Sequence, residues 1–247
     1  MRRFFTEPQN IKDDIACILE DAAHITRVLR MELGDEILLF DGSGYEYLAK
    51  LIQIDPKECR AQILDKTYSK QEPQISVTIF QGIPKSGKME SIIQKSVELG
   101  ASAIVPTALD RCVAKLEQGK KETEKLKRWN KVALEAAKQC GRGKVPEVLP
   151  AMTLKQAIAE MKTMDLALMP YEILGHQGES SLKATLREKD FKTVGILIGP
   201  EGGFSDAEAE IAKDAGLSLV GLGRRILRTE TVASSMLSMI MYEKNEL

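Results

Sequence analysis

Hydrophobic positions form short apolar runs in the first third of the chain. DEILLF precedes Asp41-Gly42-Ser43-Gly44, and the runs YEYLAKLIQI and ECRAQILDKTY follow these turn residues. An Asp-Gly pair between two such runs is a strong hairpin signal. The pattern predicts a small β domain over residues 1–70, and HITRVLRM, before the first run, predicts one short helix. The polar segment 68–73 ends in a proline, which predicts a linker.

From residue 75 the pattern alternates between strand-like runs and helical stripes. The predicted strands are ISVTIFQ, SAIVP, DLALMPY, TVGILIG and LSLVGLG. Between them, apolar residues recur at helical spacing, and Gly100, Gly141 and Gly216 end three of the predicted helices. Strands alternating with helices favour a mostly parallel sheet with helices on both faces. We therefore predict an α/β domain over residues 74–247.

Composition excludes several classes of protein. The 247 residues include four cysteines, none in a C-x-x-C spacing, and two histidines, so we expect no metal site. With two distant histidines and no G-x-S-x-G motif, a Ser-His-Asp hydrolase is disfavoured. No apolar run reaches the roughly 18 residues that a membrane span needs. The beginning, MRRFFTEPQN, lacks the apolar core of a signal peptide, so we expect a cytoplasmic protein.

Charge is unevenly distributed although the net charge is only −1. Residues 1–70 carry ten basic and 13 acidic side chains, whereas residues 111–144 carry 11 basic and four acidic ones. The basic segment could attract phosphates. It could equally be an ordinary solvated helix face.

Two glycine-rich loops carry the sharpest functional signal. The run TVGILI leads into Gly199-Pro200-Glu201-Gly202-Gly203-Phe204-Ser205, where Ser205 and Glu208 form a capping-box pattern. The next predicted strand leads into Gly221-Leu222-Gly223 and RRILRTET. In open α/β sheets ligands bind beyond the carboxyl ends of strands, and glycine lets backbone groups approach them. Because neither loop has a Walker or G-x-G-x-x-G pattern, a nucleotide cofactor without a triphosphate fits better than ATP or NAD.

GPEGGFS followed by LGRRILRTETVA resembles the signature of the SPOUT superfamily of knotted RNA methyltransferases. MRRFF, HITRVLR, KMESIIQKSVELGA and EAAKQCGR with VPEV resemble, within it, the RsmE family, which makes N3-methyluridine in 16S ribosomal RNA. The resemblance spans nearly the whole chain. It implies a PUA-like β-barrel over residues 1–70 that helps to hold RNA, and a trefoil-knotted SPOUT domain over residues 74–247. It also implies a homodimer with the last helix at the interface, and S-adenosylmethionine as cofactor.

The resemblance also implies a cofactor pocket of three loops. Its residues are Leu168, Met169 and Pro170; Ile198, Gly199, Pro200, Glu201, Gly202 and Gly203; and Leu222, Ile226, Leu227, Arg228 and Thr231. Apolar side chains would enclose the adenine, and backbone amides would satisfy its edge and the methionine carboxylate. Ile226 and Leu227 could instead be ordinary core residues.

Methylation of uracil N3 would need a group that stabilises the anion or removes the proton. Arg228 or Arg142 could supply the positive charge, and Glu230 could accept the proton or simply pair with an arginine. Glu135, Gln139 and Arg142 lie on one side of the long helix or just beyond it, so they could reach the site from a partner subunit or form an interface salt bridge. No metal is required.

Candidate RNA contacts lie in both domains. In the first domain they are Arg2, Arg3, His24, Arg27 and Arg30, with Arg27 and Arg30 three apart on one predicted helical face. In the basic segment they are Lys125, Arg128 and Lys131. For the residues of the first domain, an ion pair on the barrel surface is the alternative. For those of the basic segment, the alternative is an ordinary solvated helix face.

Two other functions remain as alternatives. One is another SPOUT enzyme that acts on tRNA ribose or guanine, which the HITRVLR-containing first domain disfavours. The other is a non-catalytic RNA-binding protein that retains the fold, which the two intact glycine loops disfavour. The resemblance therefore implies a methyltransferase that modifies a uridine of 16S ribosomal RNA, with the small ribosomal subunit as the expected partner.

Overall fold

The computed structural model describes residues 1–85, 87–113, 119–172, 182–188 and 190–246. Residues 114–118 of the basic segment, including Lys115, lie outside the described residues. The chain divides into two compact units, one of residues 1–72 with 137–145 and one of residues 73–136 with 146–247. Over the described ranges, no helix has the length and apolar character needed to cross a membrane.

The first unit contains a six-stranded sheet. Its strands are β1 (Arg2–Phe5), β2 (Ile11–Lys12), β3 (Ile15–Ile18), β4 (Glu36–Phe40), β5 (Tyr45–Gln53) and β6 (Cys59–Tyr68). Their order is β1-β4-β5-β6-β3-β2; β1 pairs with β4 in parallel and the other pairs are antiparallel. The predicted hairpin is confirmed, because Asp41-Gly42-Ser43-Gly44 joins the antiparallel strands β4 and β5.

The HITRVLR segment does not form the predicted regular helix. Residues His24–Val28 make a π-helical turn in which the Leu29 N–H donates to the His24 carbonyl, at 2.9 Å. This wide turn buries Ile25 in the core of the unit. The chain leaves the turn at Arg30, which has a φ of 49°. The prediction that Arg27 and Arg30 share one helical face is therefore wrong.

Residues 137–145 complete the first unit. Arg142 and Glu72, whose side chains are only 5% and 3% exposed, form an ion pair at 2.8 Å. Arg3 donates to the Arg142 carbonyl at 2.6 Å and pairs with Glu46 at 2.9 Å. The predicted domain boundary at residue 70 did not anticipate that this later segment returns to the first unit.

The second unit contains a seven-stranded sheet in which every pairing is parallel. Its strands are β7 (Ser76–Gly82), β8 (Ala103–Ala108), β9 (Glu147–Val148), β10 (Met152–Thr153), β11 (Leu166–Pro170), β12 (Thr193–Ile198) and β13 (Ser218–Val220). The order is β10-β8-β7-β12-β11-β13, with β9 also paired to β8. The predicted parallel α/β sheet is confirmed.

Helices follow most of these strands. They are α1 (Lys88–Glu98), α2 (Lys120–Cys140), α3 (Leu154–Met161), α4 (Leu182–Glu188), α5 (Asp206–Asp214) and α6 (Thr229–Glu243). Phe80 of β7 packs in a core with residues of α3 and α5, whereas its neighbour Gln81 bonds to Thr229 of α6. Because successive strand residues point to opposite faces, helices cover both faces of the sheet.

Helix α5 begins at the end of the first glycine loop, as its capping-box sequence predicts. The Ser205 side chain accepts from the Glu208 N–H, and the Glu208 carboxylate accepts from the Ser205 N–H at 2.8 Å. Glu208 also accepts from the Asp110 N–H at 2.7 Å. The buried carboxylate thereby fixes the loop after β8 to the helix that ends the glycine loop.

Candidate active site

The carboxyl ends of β11, β12 and β13 meet at one edge of the parallel sheet, with β11 in the middle. The segments that follow them, with residues of α1 and α6, enclose a cavity of about 360 Å³. Its lining residues are Lys88, Pro170, Tyr171, Glu172, Ile198, Gly199, Pro200, Glu201, Gly203, Phe204, Leu222, Gly223, Arg225, Ile226, Leu227, Arg228, Thr229 and Val232. This volume is within the range of small-molecule sites.

The cavity combines apolar side chains with backbone groups of the glycine loops. Ile226 lines it and is 71% exposed, which is unusual for an isoleucine. An exposed apolar side chain at a concave site is suited to cover an apolar ligand surface. Gly203 has a φ of +68°, a conformation that glycine adopts without strain. These features fit a ligand with a flat apolar part and polar edges.

A buried chain of hydrogen bonds holds the first glycine loop in place. Gln81 donates through Nε2 to Thr229 Oγ1 at 2.8 Å, and Thr229 Oγ1 donates to the Gly199 carbonyl at 2.7 Å. Gln81 also donates to the Gly82 carbonyl at 3.0 Å. Gln81 and Thr229 are both buried. The chain therefore links the end of β7, the start of α6 and the loop after β12.

Close backbone contact also shapes this loop. A Cβ atom on Gly82 would lie 2.7 Å from the Pro200 nitrogen, so only glycine allows β7 to approach the loop this closely. A Cβ on Gly199 would lie 3.2 Å from the backbone of Gly203. The glycine at 199 thus lets the two halves of the loop pack together, in addition to any role at a ligand.

Three charged side chains cluster beside the cavity. Lys88 Nζ lies 3.2 Å from a Glu201 oxygen and 3.4 Å from a Glu230 oxygen. The hydrogen bond to Glu201, together with Glu230, raises the pKa of Lys88. Burial acts to raise the pKa of Glu201, but the N–H groups of Glu201 and Lys85, with Lys88, outweigh it and lower this pKa. All three groups are charged near neutral pH.

Most of the expected cofactor residues line the cavity: Pro170, Ile198, Gly199, Pro200, Glu201, Gly203, Leu222, Ile226, Leu227 and Arg228. The others do not. Leu168 and Met169 are buried in β11, and Thr231 is exposed in the first turn of α6. Gly202 faces Arg111, which donates to its carbonyl at 2.9 Å.

Sequence reasoning missed eight lining residues: Lys88, Tyr171, Glu172, Phe204, Gly223, Arg225, Thr229 and Val232. Tyr171 and Glu172 directly follow β11, so the rule that places ligands at strand ends could have found them. Lys88 is the first residue of the helix that follows β7, so the same rule could have found it. Thr229 and Val232 carry no such signal, because they look like ordinary first-turn helix residues.

The three candidate catalytic residues have different surroundings. Arg228 is exposed and lines the cavity. Glu230 is bound by Lys88, and a hydrogen bond from its own N–H leads the causes that lower its pKa. Arg142 is buried in its ion pair with Glu72 and is not among the lining residues. Glu135 and Gln139 are exposed on α2.

The RNA candidates of the first unit are mostly exposed. Arg2, His24, Arg27 and Arg30 are open to solvent. Arg3 is not, because its guanidinium lies 3.9 Å from the ring centroid of Phe40 and makes the ion pair and carbonyl bond described above. Arg3 therefore has a structural role in this unit.

The basic candidates on α2 also have neighbours. Arg128 pairs with Glu90 of α1 at 2.5 Å but remains largely exposed. Lys125 Nζ lies 5.6 Å from the ring centroid of Trp129, and Lys131 is exposed. Trp129 is buried, as the apolar stripe of this helix predicts. The charged face of α2 is thus open to solvent.

Two family models match the chain. The RNA methyltransferase domain matches residues 70–241, and the RNA methyltransferase PUA domain matches residues 20–64. Among the described residues, no three histidine, cysteine, aspartate or glutamate side chains are grouped so that they could hold a metal ion.

Relatives match over nearly the full length. Ribosomal RNA small subunit methyltransferase E of Bacillus subtilis is 36% identical and covers 98% of this chain and 97% of its own length. The Synechocystis protein of the same name is 32% identical, over 96% of this chain and 76% of its own length. A crystal structure of the Neisseria gonorrhoeae protein of that name, bound to S-adenosylmethionine, is 30% identical with a TM-score of 0.86, covering 98% of both chains. The chain therefore belongs to the ribosomal RNA small subunit methyltransferase E family, which its sequence motifs resemble.

Proposed function

We propose that this protein transfers a methyl group from S-adenosylmethionine to N3 of a specific uridine in 16S ribosomal RNA. The observation that carries the proposal is the cavity formed where β11, β12 and β13 end, because it joins exposed apolar side chains to a glycine loop. The crystal structure of the Neisseria gonorrhoeae relative contains S-adenosylmethionine. Because the cavity of this chain is intact, a non-catalytic RNA-binding protein is disfavoured.

The cavity lining suits the parts of this cofactor. Ile226, Leu227 and Leu222 provide apolar surface for an adenine ring. The backbone of Gly199 and Gly203 provides polar groups without side chains in the way. S-adenosylmethionine supplies, when bound, a methyl group on a positively charged sulfur. Glu172 also lines the cavity, and its carboxylate favours a bound cation.

Arg228 is the residue best placed to assist the chemistry. It lines the cavity and is exposed, so its guanidinium can face a uracil whose N3 loses a proton. A positive charge next to N3 stabilises the anion that develops there. Glu230 is less suited to remove this proton, because its lowered pKa makes it a weak base. Alignment of N3 with the methyl group contributes the rest of the acceleration.

RNA binding would use both units. The exposed residues Arg2, His24, Arg27 and Arg30 of the first unit, and the basic face of α2, supply charges for phosphates. Changing Lys125, Arg128 and Lys131 together to glutamate should weaken RNA binding and reduce its dependence on salt. Binding of S-adenosylmethionine should stay intact. An unchanged RNA affinity would show that α2 presents only a solvated face.

A homodimer is part of this proposal. The buried residues of α6 form one stripe, whereas Val232, Met239 and Tyr242 leave apolar surface on another side. A second apolar stripe on one helix favours a symmetric contact with a second copy. Light scattering should give twice the chain mass of 27.4 kDa at micromolar concentration. We place the reaction in the cytoplasm, on the small ribosomal subunit or its RNA.

The test combines cofactor binding with product analysis. Calorimetry should detect S-adenosylmethionine binding, and mass spectrometry should find 3-methyluridine in 16S RNA or small subunits treated with the protein. Gly203→Val should weaken cofactor binding at least about tenfold, or about 1.4 kcal/mol, because a β-branched residue cannot adopt the positive φ of this position. Another methylated nucleotide would favour the tRNA-type alternative. Failure of the wild-type chain to bind the cofactor would overturn the proposal.

A further inference from the structure

The end of the first sheet carries an exposed pair of tyrosines. Tyr45 begins β5 and Tyr68 ends β6, and the two are register partners. Their ring centroids lie 5.5 Å apart with the planes at 89°. Tyr45 is 39% exposed and Tyr68 is 50% exposed. Within the described part of the chain, the one other exposed aromatic residue is Tyr242. Two of the three exposed aromatic rings among the described residues therefore lie in contact on one small surface.

Lysines of the same unit surround this pair. Lys66 Nζ lies 4.1 Å from the ring centroid of Tyr45, and Lys144 Nζ lies 5.9 Å from that of Tyr68. Lys66 is exposed on β6, two residues before Tyr68, so the two side chains share one face of the sheet. The nearby carboxylates of Glu46 and Glu72 are already paired with Arg3 and Arg142. Lys66 and Lys144 thus place two positive charges beside the rings.

Tyr68 is held rigidly enough to act as a platform. A Cβ atom on Gly44 would lie 2.8 Å from the Tyr68 ring, so one side of the ring rests directly on the glycine backbone. The Ser69 N–H donates to the Gly44 carbonyl at 2.8 Å and fixes the backbone next to the ring. A ring that is supported on one side and half exposed loses little entropy when a flat ligand covers the rest.

We propose that Tyr45, Tyr68, Lys66 and Lys144 form a stacking surface for an unpaired nucleotide of the RNA substrate. Aromatic rings with adjacent lysines bind single-stranded RNA, because a base stacks on the ring while the cations contact neighbouring phosphates. The inference rests on the proposed function and adds an RNA contact made by the first unit, whereas the methyl-transfer cavity belongs to the second. The positive charge favours RNA over an apolar protein partner.

The test measures affinity and salt dependence separately. Fluorescence anisotropy follows the binding of the full-length protein to a single-stranded oligouridylate of about a dozen nucleotides. Tyr68→Ala should bind about tenfold more weakly, with an unchanged slope of log affinity against log salt, because stacking releases no counterions. Lys66→Gln should reduce the magnitude of that slope by about 0.7 for one lost phosphate contact. Tyr68→Phe should bind as the wild type does.

Leu64→Ala is the matched control, because Leu64 lies on the same strand and is 51% exposed but cannot stack. Tyr68→Leu keeps contact with Gly44 and replaces Tyr68→Ala if the latter does not fold. The stacking surface is wrong if the folded Tyr68→Ala or Tyr68→Leu protein binds RNA within twofold of the wild type. It is also wrong if Leu64→Ala weakens RNA binding as much as these variants do. All these variants should bind S-adenosylmethionine normally. A result that contradicts the stacking surface therefore does not contradict the proposed function.

Discussion

The hydroxyl of Thr229 donates a 2.7 Å hydrogen bond to the carbonyl oxygen of Gly199. Thr229 is the first residue of α6, and Gly199 is the first residue after β12. The bond therefore connects the helix that borders the cavity with the loop that forms its floor. Since Thr229 also accepts from Gln81, its side chain has one donor and one acceptor satisfied.

Thr229→Val should reduce cofactor affinity about tenfold, because valine has nearly the same shape but leaves the Gly199 carbonyl without its donor. Thr229→Ser keeps the hydroxyl and should retain the affinity. Thr78→Val, at a buried threonine on β7, is the control for general destabilisation. Calorimetry on folded protein measures the effect, and equal affinities for the valine and serine variants at position 229 would contradict the role of this bond.

Arg142→Ala should destabilise the protein without a matching loss of catalysis. The change leaves Glu72 buried and unpaired, and breaking such a pair costs about 3–5 kcal/mol. Denaturant unfolding measures the stability, and the single-turnover rate per folded molecule measures the chemistry. A large drop in this rate with normal stability would instead favour the catalytic role that the sequence suggested for Arg142.

Lys88→Met should lower the melting temperature at neutral pH more than at acidic pH. Backbone N–H groups, followed by Lys88, lower the pKa of Glu201 and Glu230 in the folded state against the opposing effect of burial. The stability that Lys88 contributes through these carboxylates is present above their ordinary pKa of 4.5 and is lost as pH falls through the lowered values. The deficit of the variant in melting temperature should be present at neutral pH and shrink below about pH 4. Melting curves from pH 3 to pH 8 measure it, and a constant deficit would show that packing, not charge, causes the effect.

Arg228→Ala should lower the single-turnover rate about 10²-fold at saturating RNA and cofactor, which is typical for one lost preorganised charge. Higher pH should partly rescue it, because hydroxide then removes the N3 proton directly. Glu230→Gln serves as the comparison and should lose much less. If Glu230→Gln loses as much as Arg228→Ala while keeping cofactor affinity, Glu230 is the general base after all.

Much of the fold could be predicted because its signals are local. The Asp-Gly turn after β4, the Ser205–Glu208 capping box and the apolar strand runs each depend on a few adjacent residues. The glycine loops could be placed at one sheet edge because parallel strands share a carboxyl end.

Other features depend on contacts between distant residues and carry no local signal. Arg142 looks like a free cation in the sequence, and its burial depends on Glu72, which lies 70 residues earlier. Lys88 meets Glu201 and Glu230 only because the ends of β7 and β12 are neighbours in the sheet. The residues of the π-helical turn His24–Val28 would also suit a regular helix, and no local signal distinguishes the two.

The return of residues 137–145 to the first unit sets an order of events during synthesis. Arg3, Asp21 and Gly44 each have a partner between Ala137 and Val145. A ribosome that has translated residues 1–72 has therefore not yet supplied everything that this unit needs, and β7, β8 and most of α2 emerge before the missing piece does. The N-terminal unit should reach its final stability only after roughly half the chain has been made, although it comes first in the gene.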